Sequence, residues 1–205
     1  TVSITVNPMN DAPVLDSLGV QVTAEDTSLT ITLSGSDVDE DFLLFSAVSE
    51  YPEYVSAEVT GSQLTLTPAE NWYGTVNITI TVSDGFYNDS ETFELTVNPV
   101  NDAPEITGQV TLTTQEDIPL EISLSDLEVT DVDNNYPDGF SLTILSGENY
   151  TFDGTTITPV LNYNGDLTVP INVDDGEDEN SQSDIFNLSV TVASENDAPV
   201  LTEIG

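Results

Sequence analysis

The sequence predicts an all-β chain built as tandem seven-stranded Greek-key β-sandwiches. Two observations carry this prediction. The word Asn-Asp-Ala-Pro recurs at Asn10–Pro13, Asn101–Pro104 and Asn196–Pro199, at intervals of 91 and 95 residues, which is the spacing of a repeated domain. Between these words apolar residues alternate with Thr, Ser and Asn at period two, and no stretch sustains a helical period.

The elements of the first repeat can be taken in order. Gly19–Thr23 opens it, and Leu29, Ile31 and Leu33 then alternate with Thr and Ser. Phe42–Val48, Tyr54–Thr60 and Gln63–Thr67 follow, separated by Pro52 and Gly61 as turn signals. Val76, Ile78, Ile80 and Val82 mark a sixth strand, and Phe93, Leu95 and Val97 a seventh. About seven short strands in some 90 residues suit a Greek-key sandwich. A second copy keeps the same landmarks at an offset of 91: Glu25-Asp26 with Glu116-Asp117, Pro68 with Pro159, Gly74 with Gly165, and Asp84-Gly85 with Asp175-Gly176. Asp37-Val-Asp39 matches Asp131-Val-Asp133 after a three-residue insertion. Thr1–Val6 resembles Thr92–Val97 and Asn187–Val192, so residues 1–7 are expected to be the last strand of a preceding repeat. Repeat one then spans 8–98 and repeat two 99–195, with 196–205 starting a further one.

Composition excludes much chemistry. The 205 residues hold 38 acids and no Lys, Arg, His or Cys, for a formal net charge of −38. No side chain can neutralise a carboxylate, so the self-repulsion must be offset by salt or bound cations. Nucleic acid and anionic membrane surfaces are poor partners for such a charge. Disulfides, thiolate and imidazole catalysis and lysine Schiff bases are unavailable. Carboxylates are hard oxygen donors of the kind that suit calcium. No apolar run approaches the length of a membrane span.

The acids gather at the repeat boundaries. Around the first complete boundary stand Asn98-Pro-Val-Asn101-Asp102-Ala-Pro104, then Asp131-Val-Asp133 and Asp174-Asp175-Gly176. In a strand-end D-x-D both carboxylates point to one side. The set Asn10, Asp11, Asp37, Asp39 and Asp84 repeats this pattern ahead of repeat one.

With these residues in view, the chain resembles the cadherin superfamily, and especially the bacterial cadherin-like repeats of large secreted (RTX-type) adhesins. The marks are the N-D-A-P boundary, a glutamate fifteen residues later (Glu25, Glu116), the D-x-D, the D-G ending a late strand, and the stretch Asn71-Trp-Tyr-Gly74 through Gly85. The resemblance implies tandem cadherin/Ig-like sandwiches outside the cell with calcium between successive repeats. It implies that the Asn101 boundary draws on Glu25, Glu70, Asn98, Asn101, Asp102, Asp131, Asp133 and Asp175. The following boundary would use Glu116, Asn196 and Asp197. Asn98 stands where the family's first linker acid belongs, Leu161 replaces the Glu70 position, and Ala193 replaces the linker oxygen. The second boundary is therefore expected to bind calcium less well, and fewer ions than in vertebrate cadherins are expected.

The function that follows is a non-enzymatic, calcium-stiffened extender of an extracellular adhesin or surface filament, with neighbouring repeats as partners. Two alternatives stay open. Trp72 and Tyr73 would stack on sugar in a carbohydrate-binding module, with polysaccharide or a cell surface as partner, or would instead close one end of the core. Thr1–Val6 would complete a neighbour's sheet in a self-polymerising filament subunit. Adaptation to high salt would explain the acidity but not its clustering. The sequons at Asn77, Asn88, Asn149 and Asn187 are no more than composition gives by chance. A glycosidase would need one special pair of carboxylates, and the evenly repeated acids offer none.

Overall fold

The computed structural model describes residues 2–5, 7 and 9–198. The chain divides into two compact units, Thr1–Val100 and Asn101–Gly205. Unit one contains β1 (Val14–Leu15), β2 (Gln21–Ala24), β3 (Leu29–Thr32), β4 (Gly35–Ser36), β5 (Leu44–Ser49), β6 (Val55–Thr60), β7 (Gln63–Pro68), β8 (Gly74–Ser83) and β9 (Asn88–Asn98). One sheet runs β2-β9-β8-β5 and the other β3-β7-β6, with β1 paired to β4. β5 to β6 and β7 to β8 cross between sheets, which makes the unit a Greek-key sandwich.

Period-two alternation fixes which face is buried. Along β8, Val76, Ile78, Ile80 and Val82 turn inward while Thr75, Asn77, Thr79 and Thr81 face out. They meet Leu64 and Leu66 of β7, Val55 of β6, and Phe93, Leu95 and Val97 of β9 in one core. Full burial of such side chains contributes about 1.5–3 kcal/mol each.

The opening strand is split, which the alternation did not reveal. β1 joins β4 through Val14↔Ser36 and Leu15↔Gly35, whereas β2 runs parallel to β9 through Gln21↔Leu95 to Ala24↔Asn98. Gly19, at φ +63°, lies between them and permits the change of sheet. A two-residue strand is too short to leave a period in the sequence.

Unit two repeats the plan with β10 (Glu105–Gln109), β11 (Leu112–Gln115), β12 (Leu120–Glu121), β13 (Leu127–Thr130), β14 (Ser141–Ile144), β15 (Tyr150–Asp153), β16 (Thr156–Pro159), β17 (Gly165–Asp174) and β18 (Phe186–Ala193). Its sheets run β11-β18-β17-β14 and β12-β16-β15, with β10 on β13. The one helical element among the described residues is a 3-10 turn at Leu124–Asp126. The chain is thus all-β, as the sequence predicts. None of the described residues is in a helix long and apolar enough to cross a membrane.

Two parts of the expected organisation differ or lie out of view. Residues 2–5 form no strand, and Val2 and Ile4 are exposed; a strand needs a neighbouring backbone for its hydrogen bonds, and among the described residues no strand pairs with them. Thr1, Val6, Pro8 and residues 199–205 lie outside the described residues, and so do most of the expected start of a following repeat at 196–205 and one end of the expected first strand.

Candidate metal centre

Each unit gathers its N-D-A-P word, its D-x-D and its D-G aspartate at one end. In unit one the Asn10 side-chain amide donates to Asp84 Oδ2 at 2.8 Å, and the Asp11 backbone N–H donates to Asp39 Oδ2 at 2.8 Å. In unit two Asn101 donates to Asp175 Oδ2 at 2.9 Å, and the Asp102 N–H to Asp133 Oδ2 at 2.9 Å. Residues 74 and 28 to 31 positions apart in sequence are thereby brought together twice by the same bonds.

The first D-x-D aspartate in each unit turns one oxygen to the backbone. Asp37 Oδ1 accepts the Asp39 N–H at 2.8 Å, and Asp131 Oδ1 accepts the N–H groups of Asp133 and Asn134 at 2.9 and 2.7 Å. The second oxygen of each, Asp37 Oδ2 and Asp131 Oδ2, is buried with no hydrogen-bond partner. A buried carboxylate oxygen without a donor is costly, and a hard cation answers that need. Asp37, Asp39 and Asp41 have carboxylate oxygens within 4.8 Å of one another. Asp41 was not among the sequence candidates, although the spacing Asp37-Val-Asp39-Glu-Asp41 extends the same period-two pattern; Asn135 takes its place in repeat two.

Asp84 is held in ionised form by its turn. The N–H groups of Tyr87 and Phe86 both donate to Asp84 Oδ1 at 2.6 Å. The Tyr87 bond foremost, with those of Phe86 and Asn10, lowers its pKa below the usual aspartate value against an opposing effect of burial.

The opposite end of each unit carries a buried glutamate. Glu25, 3% exposed, accepts the Val100 N–H at 2.6 Å, and its own N–H donates to the carbonyl of Asn98. Glu116, 6% exposed, accepts the Glu195 N–H at 2.5 Å, and its N–H donates to Ala193. Each grips the strand end that leads out of its own repeat. The Asn71 N–H donates to Asp26 at 3.0 Å, which places exposed Glu70 at the same end of unit one as Glu25. The matching Asn162–Asp117 bond carries Leu161 there instead, 80% exposed. Asn196 and Asp197 are exposed, and the Asn196 amide donates to the Asp197 carbonyl at 3.2 Å.

Every donor atom that these acids and amides offer is oxygen, and each end contains a buried glutamate or an unpartnered aspartate oxygen. The set fits a hard divalent cation and no soft one.

Trp72 is half-buried against the core of unit one, its ring stacked on Tyr54 at 5.2 Å and 4°. A Cβ at Gly74 would lie 3.2 Å from its six-membered ring. The indole thus closes the sandwich end, while Tyr73 beside it is exposed.

Comparison with known proteins matches each unit to a domain family of its own. Residues 10–98 match the model of a bacterial Ig domain, and residues 100–192 that of a cadherin-like domain. The chain is similar in structure to human protocadherin-24 EC1-2, at 17% identity and a TM-score of 0.56, over 90% of this chain and 100% of that one. It is also similar to Drosophila N-cadherin EC1-4, at 13% identity and a TM-score of 0.53, over 91% of this chain and 50% of that one. At these identities the likeness shows the fold. No curated protein sequence matches the chain.

Proposed function

For a chain that belongs to the bacterial cadherin-like repeats, we propose the role of an extracellular extender whose inter-repeat joints are stiffened by calcium. It would hold an adhesive region away from a cell or form part of a surface filament. The observation that carries this proposal is the pair of buried, unpartnered oxygens, Asp37 Oδ2 and Asp131 Oδ2, in a chain without one cationic side chain.

Calcium, when bound, supplies the positive charge that lets converging carboxylates sit together. At the Asn101 boundary Glu25, Glu70 and Asn98 from unit one would meet Asn101, Asp102, Asp131, Asp133 and Asp175 from unit two. Asn10, Asp11, Asp37, Asp39 and Asp84 would do the same toward a preceding repeat, and Glu116, Asn196 and Asp197 toward a following one. Extracellular modules of this chemistry bind with dissociation constants of about 0.1–1 mM, so they fill outside cells and empty at cytosolic calcium.

The test is calorimetric titration of a chain extended by the next full repeat. The Asn101 boundary should bind more tightly than the Asn196 boundary, and Asp133→Ala should weaken binding far more than Asp197→Ala. Equal titration of both boundaries, or an Asp133→Ala variant that binds as wild type, would overturn the assignment.

A further inference from the structure

We infer that the connection between β17 and β18, together with Asn134 from the connection between β13 and β14, is a metal-independent clasp that holds the linker at Asn101, with Asn180 and Asn134 as its positioning residues. In unit one the corresponding connection is the tight turn 84–87, between β8 and β9. In unit two it spans residues 175–185, and the added length reaches the linker.

Asn101 is bonded on all sides. Its Nδ2 donates to Asp175 Oδ2 at 2.9 Å and to the carbonyls of Glu179 and Asn180 at 3.1 and 3.3 Å. The Asn180 side-chain amide returns a bond to the Asn101 carbonyl at 3.0 Å. The Asn134 amide donates to Asn101 Oδ1 at 3.1 Å. Asn180 makes this reciprocal pair from a left-handed conformation, φ +51°, which asparagine tolerates. Asn10, the equivalent residue of unit one, bonds only Asp84 and the Asp11 carbonyl among the described contacts.

All of these bonds except that to Asp175 join amides to amide or backbone oxygens. They carry no net charge, need no cation and do not titrate. On the preceding residue the Val100 N–H donates to Glu25 at 2.6 Å, within unit one. The clasp rests on the proposed role of the boundary as a joint: calcium would set the joint's stiffness, and the clasp would keep the linker ordered when calcium falls.

Hydrogen exchange of the backbone amides of residues 100–103, followed by mass spectrometry in chelator and in saturating calcium, tests this on the full chain. Asn180→Gly keeps the left-handed backbone and removes the donor; Asn134→Ala removes the second contact. In chelator both variants should exchange these amides about fivefold to tenfold faster than wild type. In saturating calcium they should match it, which a merely destabilised unit two would not do. Exchange in chelator at the wild-type rate in both variants overturns the clasp. Wild-type exchange that calcium leaves unchanged overturns the calcium joint alone, since the clasp is judged within chelator.

Discussion

Replacing Glu25 by Gln should reverse the sign of its effect between chelator and calcium. Glu25 is 3% exposed and accepts the Val100 N–H at 2.6 Å. Glutamine keeps the shape and an accepting oxygen but loses the charge. Without metal the change relieves the desolvation of a buried carboxylate, worth several kcal/mol per ion. It weakens the hydrogen bond by about 1 kcal/mol, the gap between charged and neutral acceptors. The variant should therefore be at least as stable as wild type in chelator. With calcium at about 100 times a 0.1 mM dissociation constant, wild type gains about 2.7 kcal/mol per site. A site weakened tenfold to a hundredfold gains only about 1.4 to 0.4 kcal/mol by the same relation. At about 4–8 °C per kcal/mol for a domain of this size, the calcium-induced rise in melting temperature shrinks from roughly 10–20 °C to under about 11 °C. Scanning calorimetry in 10 mM calcium and in chelator, at matched ionic strength, measures both. An equal calcium-induced rise in wild type and Glu25→Gln would refute the role of this carboxylate.

Acid should erase the contribution of Asp84. Its folded pKa lies below the ordinary 3.8, so its stabilisation is present above the unfolded value and lost as pH falls through the folded one; the melting-temperature gap between wild type and Asp84→Asn should narrow on going from neutral pH to below that value, and a gap that widens would contradict it. Trp72→Ala should cost unit one about 2–4 kcal/mol, somewhat less than for a fully buried Trp, and Gly74→Ala, at φ +145° with a 3.2 Å approach to the indole, about 1–3 kcal/mol. Urea unfolding read by the single Trp measures the Gly74 variant, and circular dichroism the Trp72 variant; wild-type midpoints in either would show that the ring does not close the core.

The strands that cross the core were legible because burial of one face imposes period two, and β8 shows it without interruption from Val76 to Val82. β1 and β4 were not, since two residues cannot display a period and their pairing depends on where Gly19 turns the chain. The acids that meet at each unit's end were legible through their recurrence, which marks them as a set before any distance is known. Asp41 was missed because repeat two has Asn135 there, so the recurrence that singled out the others was silent. Asn134 and Asn180 were missed for a related reason. They bond the linker through amides, and nothing in an amide at position 180 of a polar loop distinguishes it from solvent-facing neighbours until the loop is folded back.

The way the boundary carboxylates are held replaces the orienting role of the salt bridges that this chain cannot make. With no cationic side chain, the positive ends of backbone N–H groups take the place of salt-bridge partners. Val100 serves Glu25, Glu195 serves Glu116, Phe86 and Tyr87 serve Asp84, and Asp133 and Asn134 serve Asp131. Such charge-assisted bonds are stronger than neutral ones, but each satisfies one oxygen of a group that has two. Asp37 and Asp131 show the remainder, a buried second oxygen with no donor. Backbone donors therefore fix the direction of each carboxylate and leave its charge unneutralised, so that a cation entering the cluster would meet side chains already oriented. An exposed acid elsewhere on the sandwich, solvated and free to turn, offers the same charge without that orientation, and for this reason position rather than acidity singles out the candidate site.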